Sequence, residues 1–329
     1  MKFFVIGCGS IGERHIRNIQ TLCPDCSILA TDVSADRLLL MQKKYGVTAC
    51  STIDEGFIQN VDAAIICTPP NSHIAIAMVA IKNKVHVFIE KPMSNSASEV
   101  ENFLRLAEST NLVTFVGYCF RFNAGLNFVK KILESGELGE ILFAEAKYGQ
   151  YLPDWRPWQD YKQSYTAKKA LGGGIVLDGS HEIDYIRWLV GEVKEVFCFA
   201  SQASDLEVET ESVAGILLKF KNGSIGTIHL DFVRRDYSRG CEIICRNGTV
   251  QWSYEDNTVR LYKAADKKWQ VWNNVVNDSN DMYILEMKHF IECLTTHKQP
   301  LVTGKEGFET LKIALAAKES TVEGVSVKL

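Results

Sequence analysis

Up to about residue 120, short apolar runs alternate with longer segments in which apolar residues recur every three or four positions. Runs of the first kind predict β-strands, and segments of the second kind predict helices. Strands joined by helices of this length form right-handed βαβ units, so we expect a parallel sheet. The predicted strands are Lys2–Gly7, Ser27–Asp32, Val61–Thr68, Val85–Glu90 and Val113–Tyr118.

Beyond residue 120 the pattern changes to two helices, a series of strands and two final helices. Lys221-Asn222-Gly223 and Asn247-Gly248 separate consecutive strands and are typical of hairpin turns. Because hairpins join antiparallel neighbours, we expect a large, mostly antiparallel open sheet with helices on one face. The predicted elements are helices near 124–135, 176–190, 280–295 and 306–320, and strands Val193–Ser201, Ser212–Phe220, Ser224–Phe232, Gly240–Arg246, Thr249–Tyr254, Thr258–Lys263 and Trp269–Trp272.

This change of pattern divides the 329 residues into two predicted domains. Residues 1–120 form an α/β Rossmann domain, and residues 121–329 form an α+β domain for substrate binding and oligomerisation, whose last helix packs back on the first domain. A net charge of −4 argues against nucleic acid as a partner, and no apolar run reaches the roughly 20 residues of a membrane helix. The N-terminal apolar stretch lacks a cleavage site, so we expect a cytoplasmic protein. The scattered cysteines predict no metal site.

Gly7-Cys-Gly9-Ser-Ile-Gly12 follows the first predicted strand directly and opens a helix. In this context the glycines allow a tight turn, close approach of a pyrophosphate and close packing of helix on strand. Asp32 ends the second strand, where a carboxylate accepts ribose hydroxyls and disfavours a 2′-phosphate. We therefore predict NAD as cofactor, with NADP as the alternative because Arg37 lies nearby. The loop residues predicted to bind it are Gly7, Gly9, Ser10, Ile11 and Gly12.

Two further turns end predicted strands at the same edge of the sheet, which is where open α/β sheets bind ligands. One is Thr68-Pro-Pro-Asn-Ser-His and the other is Glu90-Lys91-Pro92. A proline-rich turn with a helix cap, and a plain solvated lysine, explain the same residues without a ligand. The residues predicted here to contact the cofactor are Thr68, Pro69, Asn71, His73, Glu90 and Lys91.

Three consecutive glycines, 172–174, precede a segment in which Asp178, His181, Glu182 and Tyr185 fall on one face of a predicted helix. We expect the glycines to let the backbone pass close to cofactor or substrate. A histidine on that face can accept a hydroxyl proton near neutral pH. The alternative interpretation, a solvated charge stripe, suits Glu182 better than His181.

Taken in order, the glycine loop, the Thr-Pro-Pro-Asn-Ser-His turn, the Glu-Lys-Pro turn and the Gly-Gly-Gly…Asp…His…Asp segment resemble the Gfo/Idh/MocA oxidoreductases along essentially the whole chain. The resemblance implies NAD(P)-dependent oxidation or reduction of a sugar, a cyclitol or a sugar derivative. It implies that Lys91 and His181 are catalytic and that Asp178 assists them. Many members have three residues between this Asp and His, whereas Gly179 and Ser180 alone separate them here.

Substrate contacts are predicted at three further places. The resemblance suggests Arg121 and Asn123, at the domain crossover. An aromatic loop with an arginine, suited to stacking on sugar rings and holding an anionic group, contributes Tyr151, Trp155 and Arg156, although it could equally pack on its own domain or on a neighbouring subunit. Tyr165 precedes the glycines and could donate a hydrogen bond to substrate. Asp178 and His181 complete the predicted substrate-binding set.

Two other functions remain open from the sequence. Arg156 with Lys162, Lys168 and Lys169 would suit a nucleotide-linked or acidic amino sugar instead of a neutral one. A dinucleotide-dependent sensor without turnover would need the cofactor pocket but not Lys91 and His181. Because large open sheets usually bury their exposed face, and the family commonly associates through it, we also expect a homodimer or a homotetramer.

Overall fold

The computed structural model describes residues 1–203, 205–276 and 278–329. The chain divides into two compact units, which we call the first unit, residues 1–119 with 282–308, and the second unit, residues 120–281 with 309–329. In the described part of the chain, no helix is long and apolar enough to cross a membrane.

The first unit contains a parallel six-stranded sheet, which confirms the predicted Rossmann domain. Its strand order is β3-β2-β1-β4-β5-β6. The two-residue β3 was not predicted, because it is too short to show a periodic pattern. The strands are β1 Lys2–Ile6, β2 Ser27–Thr31, β3 Thr48–Ala49, β4 Ala63–Ile66, β5 His86–Glu90 and β6 Thr114–Gly117, and the helices are α1 Ser10–Leu22, α2 Ala35–Tyr45, α3 Ile53–Phe57, α4 His73–Lys82, α5 Val100–Glu108 and, near the end of the chain, α9 Asp281–Thr296.

Strand order reverses between β1 and β4, which are hydrogen-bonded neighbours. Such a reversal opens a crevice at the carboxyl ends of the strands, where doubly wound sheets bind ligands. The strands are mostly apolar and buried, as is typical of a parallel sheet with helices on both faces. Phe290 on α9 contributes to this core, with its ring 5.5 Å from that of Phe88 and 5.7 Å from that of Phe115.

The second unit contains a nine-stranded, mostly antiparallel sheet, as predicted, in the order β14-β13-β12-β11-β7-β10-β9-β8-β15. The sheet is mixed, because the unpredicted strand β7 near its centre pairs parallel with β10 and antiparallel with β11. The strands are β7 Ile141–Gly149, β8 Val193–Ser201, β9 Val213–Phe220, β10 Ile225–Asp231, β11 Ser238–Cys245, β12 Gly248–Ser253, β13 Thr258–Lys263, β14 Lys268–Asn273 and β15 Val327–Lys328.

Helices α6 Ala124–Glu134, α7 Ile175–Asp178 and α8 Ser180–Val190 belong to the second unit, and α10 spans Gly304–Glu323. The single helix predicted over 176–190 is therefore wrong. It is interrupted at Gly179, where an added Cβ would lie 2.8 Å from the Leu230 side chain and 2.9 Å from the Ile175 carbonyl oxygen. Close packing on β10 thus requires a glycine at this position, and Asp178 and His181 lie on different helices.

Candidate active site

The glycine loop between β1 and α1 has the geometry of a dinucleotide cradle. Gly7 has a φ of +97°, and an added Cβ would lie 2.7 Å from the Cys67 carbonyl oxygen. A Cβ on Gly12 would lie 1.9 Å from the Gly7 carbonyl oxygen, whereas one on Gly9 would meet nothing within 4 Å. The first and third glycines are therefore required by the protein itself, and the second leaves open space where α1 begins. A helix N-terminus with such space above it suits a pyrophosphate.

Asp32, which directly follows β2, is held by two backbone amides. Its Oδ2 accepts the N–H of Cys8 at 2.6 Å, and its Oδ1 accepts the N–H of Ser34 at 2.7 Å. Each carboxylate oxygen keeps a further lone pair, so the group can still accept ribose hydroxyls. The carboxylate is thus fixed beside the glycine loop, in the position that the fold uses for an NAD ribose.

The turn after β4 is closed by its own side chains. Ser72 Oγ lies 2.9 Å from the Pro69 carbonyl oxygen, to which its hydroxyl donates, and 2.7 Å from Thr68 Oγ1, from which it accepts. Asn71 is exposed, whereas His73 is only 1% exposed. The His73 ring lies with Nε2 2.6 Å from the Thr68 carbonyl oxygen and Nδ1 3.0 Å from that of Pro92. Of the residues predicted at this turn, His73 therefore contacts backbone below the surface.

Lys91 directly follows β5 and is half-buried. Glu90, beside it, is only 7% exposed and approaches His15 Nε2 at 2.6 Å through Oε1. Its Oε2 accepts the backbone N–H of Lys91 at 3.1 Å. Because β4 and β5 are parallel neighbours, Lys91 and the Thr68 turn lie at the same edge of the sheet. Glu90 itself, predicted to contact the cofactor, is occupied with His15 and with this backbone amide.

In the second unit, the glycines before α7 serve close packing of the chain on itself. A Cβ on Gly173 would lie 2.3 Å from the Thr166 carbonyl oxygen, and one on Gly174, with a φ of +113°, would lie 2.4 Å from Glu211 Oε1. These contacts explain Gly173 and Gly174 without the close approach to cofactor or substrate that the sequence suggested. They place the segment around residues 165–166 directly against the start of α7.

Asp178, the last residue of α7, accepts a 2.6 Å hydrogen bond from the Tyr165 hydroxyl through Oδ1. Asp178 is only 5% exposed. Burial raises the pKa of Tyr165 well above its ordinary value, and the Asp178 carboxylate raises it further. Tyr165 therefore stays protonated at neutral pH and acts as the donor in this pair, so two of the residues predicted for the site are brought together.

His181, in the first turn of α8, is 7% exposed and packs edge-on against Phe120, with ring centroids 5.0 Å apart. The next residue, Glu182, is fully buried, with its Oε1 2.9 Å from Arg239 Nε. Burial alone would lower the pKa of Arg239, but the Glu182 carboxylate raises it. The guanidinium also lies over Phe120 and Tyr148, 4.6 and 3.8 Å from their centroids. The interpretation of Glu182 as a solvated charge is wrong, and sequence reasoning missed Arg239 altogether.

Arg121 and Asn123, both predicted to bind substrate, have structural partners. Arg121 donates to the two carboxylate oxygens of Asp184 at 2.7 and 2.9 Å, and both side chains are at most 3% exposed. Thr310 donates to the same carboxylate at 3.0 Å. Asn123 caps α6 by accepting the N–H of Leu126 at 3.1 Å. Buried ionic and capping contacts therefore engage both residues, which were read from the sequence as exposed to substrate.

The aromatic loop lines a shallow depression together with the residues that precede Tyr165. Trp155 packs edge-on against Phe232, with centroids 5.3 Å apart, and its indole N–H has no partner in the described part of the chain. Arg235 lies over the Tyr151 ring at 3.5 Å, so one face of that ring is covered. The depression is lined by Leu152, Trp155, Arg156, Gln159, Tyr161, Ser164 and Thr166.

The positive charges near this loop differ in how they are paired. Lys162 is paired with Glu207, and Lys168 Nζ lies 3.2 Å from Glu209 Oε1. Glu209 also accepts the backbone N–H of Lys169 at 3.1 Å. Arg156 has no carboxylate within 4.0 Å among residues 1–203, 205–276 and 278–329. The ammonium of Lys169, which is exposed, has no carboxylate partner in these ranges either, so Arg156 and Lys169 are the cations here that remain available to a ligand.

Comparison with known proteins supports a dinucleotide-binding oxidoreductase along the whole chain. Residues 1–118 match the family model described as "Oxidoreductase family, NAD-binding Rossmann fold", and residues 126–251 match that of the GFO/IDH/MocA C-terminal domain. The chain is 30% identical to myo-inositol 2-dehydrogenase of Thermotoga maritima, over 100% of its own length and 98% of the relative's. It is 24% identical to scyllo-inositol 2-dehydrogenase (NAD(+)) of Bacillus subtilis, with 99% and 95% covered.

A solved structure of levoglucosan dehydrogenase, in complex with NADH and levoglucosan, superposes with a TM-score of 0.91. It is 19% identical, and the match covers 100% of this chain and 99% of the other, so it supports the fold. Together with the open cradle at Gly9, these matches identify an NAD-dependent oxidoreductase that acts on CH–OH groups. The chain belongs to the Gfo/Idh/MocA family.

Proposed function

We propose that the protein oxidises a secondary hydroxyl of a cyclitol or a sugar, with NAD as the hydride acceptor. The observation that carries this proposal is the 30% identity, over the full length of the chain, to an inositol dehydrogenase. By the resemblance of the sequence motifs, Lys91 and His181 correspond to the family's catalytic pair. A dinucleotide-dependent sensor would have no need of this proton-handling pair.

The chemistry assigned to each residue follows from its type and surroundings. The nicotinamide, when bound, accepts the hydride that leaves the carbinol carbon. His181 takes the hydroxyl proton as general base, and the Lys91 ammonium stabilises the negative charge that develops on the oxygen. Asp178, fixed by the Tyr165 hydroxyl at 2.6 Å, orients the substrate or the base. The carbonyl product, the reduced cofactor and one proton balance the reaction.

A neutral polyol suits the charges of the aromatic loop better than a nucleotide-linked sugar. Lys162 and Lys168 are paired with Glu207 and Glu209, so their charges are largely balanced. A sugar diphosphate needs several available cations, whereas Arg156 and Lys169 are the two that remain unpaired among these four in the described part of the chain. The second candidate is therefore a sugar with a single carboxylate, held by Arg156, and it differs from the first in its dependence on this residue.

We also propose that the protein is a homo-oligomer that buries the outer face of the nine-stranded sheet. Neighbouring strands of this face expose Phe199, Leu217 and Ile225, at 72%, 48% and 47%. These side chains lie at diagonally neighbouring positions on β8, β9 and β10. Exposed apolar patches of this kind mark protein interfaces. Sedimentation velocity should give a dimer or a tetramer, and Phe199→Glu with Leu217→Glu should shift it toward monomer.

The test of the proposed activity is reduced-nicotinamide absorbance with NAD and NADP against inositols, neutral sugars, sugar acids and nucleotide sugars. We expect turnover with NAD and a neutral polyol. Lys91→Ala and His181→Ala should each lower kcat by about 10²- to 10⁴-fold, the usual contribution of general acid–base catalysis. Lys82→Ala, an exposed lysine on α4, is the matched control and should leave kcat unchanged.

Three outcomes discriminate the alternatives. Turnover of sugar acids that is lost in Arg156→Ala, while neutral sugars are unaffected, would favour the second candidate. Tight NADH binding, measured by fluorescence, without turnover in either direction would favour a sensor. Full activity in both Lys91→Ala and His181→Ala would refute the assigned proton chemistry.

A further inference from the structure

Two buried histidines from two different helices contact the residues on either side of Lys91. His15 lies on α1 and is 0% exposed, and His73 begins α4 and is 1% exposed. The first contacts the side chain of Glu90, and the second contacts the backbone of Pro92. Because both rings are buried and contact Glu90 and Pro92, we consider their effect on the position of Lys91.

The contact on the Glu90 side is a short chain of hydrogen bonds. His15 Nε2 lies 2.6 Å from Glu90 Oε1, and Glu90 Oε2 accepts the Lys91 N–H at 3.1 Å. The His15 ring packs edge-on against Phe88 of β5, with centroids 5.0 Å apart. A buried carboxylate is costly unless each oxygen has a partner, so this geometry is strongly preferred. The backbone at Lys91 is thereby joined to α1.

The contact on the Pro92 side bridges two turns. One ring, that of His73, reaches the carbonyl oxygen of Thr68 at 2.6 Å and that of Pro92 at 3.0 Å. Burial lowers the pKa of His73, and the two carbonyl contacts oppose this shift, because only the protonated ring donates to both oxygens. An apolar side chain could fill this space, but it could not satisfy either carbonyl. The ring therefore sets the distance between the turn after β4 and the segment after β5.

These contacts bear on the direction of the Lys91 side chain. A lysine has four rotatable bonds, and the backbone on either side decides where its stem begins. The same two helices start at the glycine loop and at the Thr68 turn, the segments with the geometry of a dinucleotide site. Fixing residues 90–92 to both helices therefore fixes the origin of the lysine relative to the cofactor-binding segments. Misplacement by about 1 Å can cost about 100-fold in rate.

We propose that His15 and His73 are positioning residues that fix the position of Lys91 relative to the glycine loop and the Thr68 turn. This inference rests on the proposed function, because the role of Lys91 belongs to it. It also reassigns His73, which the sequence suggested as a cofactor contact. The two histidines act through the backbone at residues 90–92 and touch neither cofactor nor substrate.

The kinetic test is a double-mutant cycle with Lys91. We expect His15→Ala and His73→Ala each to lower kcat by about 10- to 100-fold, with NADH affinity by fluorescence changed less than about threefold. In a Lys91→Ala background, the same changes should have little further effect, because residues acting as a unit are non-additive. His15→Gln, whose amide can still donate to Glu90, should recover most of the activity.

His289→Ala is the matched control. His289 lies on α9 of the same unit and accepts the Leu301 N–H at 2.9 Å. The His289→Ala substitution should lower thermal stability, and its effect on kcat should not depend on the Lys91 side chain. Equal losses of activity from the His15 or His73 variants, with and without the Lys91 side chain, would overturn the proposal. Weakened NADH binding with kcat intact at saturation would also overturn it, because it would make these residues cofactor determinants.

A readout without turnover separates this inference from the proposed activity. Lysines are labelled by reductive ¹³C-methylation, and the NMR signal absent from Lys91→Ala is that of Lys91. In the NADH complex we expect this signal to be distinct from those of exposed lysines, and to move toward them in His15→Ala and His73→Ala. An unchanged signal in both variants would overturn the positioning role, even if no substrate is found. A moved signal without turnover would leave the positioning role standing and refute the proposed activity.

Discussion

The two units hold their polar site residues in different ways. In the first unit, backbone groups at the ends of parallel strands hold Asp32 and His73, and one buried side-chain pair, His15 with Glu90, adds to these contacts. In the second unit, buried side chains pair with one another, as Arg121 does with Asp184 and Arg239 with Glu182. Backbone contacts arise from the fold itself, whereas each side-chain pair depends on two residue identities. The comparison therefore separates a site that the fold provides from one that individual substitutions must maintain.

The largest effect should come from breaking a side-chain pair of the second unit. Asp184→Ala leaves the Arg121 guanidinium, 3% exposed, without its carboxylate and removes the acceptor of Thr310. Loss of one partner of a buried pair costs about 3–5 kcal/mol. Urea unfolding should show this decrease in the free energy of unfolding. Replacing both partners, as in Arg121→Met with Asp184→Leu, should recover much of it, and a loss below about 1 kcal/mol in the single variant would contradict the comparison.

A substitution in the glycine loop should have an intermediate effect, which should weaken NADH binding and leave folding unchanged. Gly9 has φ −69° and ψ −172°, an extended conformation open to any residue, and its Cβ would meet no atom within 4 Å. Gly9→Ala should therefore unfold at the same urea concentration as the unsubstituted protein. Its NADH dissociation constant should rise about 10- to 100-fold, because the methyl group occupies the space over the helix N-terminus.

Gly215→Ala is the control for that substitution. Gly215 lies on β9, and its Cβ would also meet nothing within 4 Å. This variant should change neither stability nor NADH affinity. Unaltered NADH binding in Gly9→Ala would exclude the loop as the pyrophosphate site.

The smallest effect should be a difference in acid sensitivity. Burial lowers the pKa values of His73, His86 and His289, all in the first unit. The unfolded chain then binds protons more readily than the folded unit, so stability falls as pH drops below the ordinary histidine value of 6.5. The fall should continue until the lowered pKa values are reached. Hydrogen exchange by mass spectrometry, corrected for intrinsic rates, should show faster exchange in residues 1–119 at pH 5.5 than at pH 7.

The second unit provides the internal reference for this measurement. Burial by itself would raise the pKa of Asp231, but His229 and two backbone amides lower it overall. Stability from that carboxylate is present above its ordinary value of 3.8 and is lost only at still lower pH. Exchange in residues 120–281 should therefore change less between pH 7 and 5.5. Equal acceleration in both units would contradict the assignment to the three histidines.

The same contrast explains what the sequence predicted. The Rossmann sheet and its glycine loop follow from local patterns, because strand, turn and helix are consecutive in the chain. Glu182 and Arg121 were misread because their partners lie 57 and 63 residues away. Local spacing also could not show that Gly179 packs against Leu230, which interrupts the predicted helix.

Strand β7 shows where the prediction of strands from the sequence failed. Its residues alternate between buried and exposed positions, with Ala144 and Ala146 buried and Glu145 and Lys147 exposed, so the signal was present. The alternation was missed because small alanines fill the inward positions in place of large apolar residues. β7 pairs parallel with β10, and helices and loops connect the two strands. No turn motif in the sequence predicts such a pairing.

The first unit is discontinuous in sequence, since residues 282–308 complete it. A nascent chain released only as far as residue 119 would display Phe88 and Phe115 without Phe290, which packs on both. The ribosome must therefore synthesise the chain through residue 308 before this unit can close its core. Until then the exposed aromatic surface is a target for chaperones and for aggregation. Truncated fragments of this enzyme should accordingly be recovered folded only when residues 282–308 are supplied.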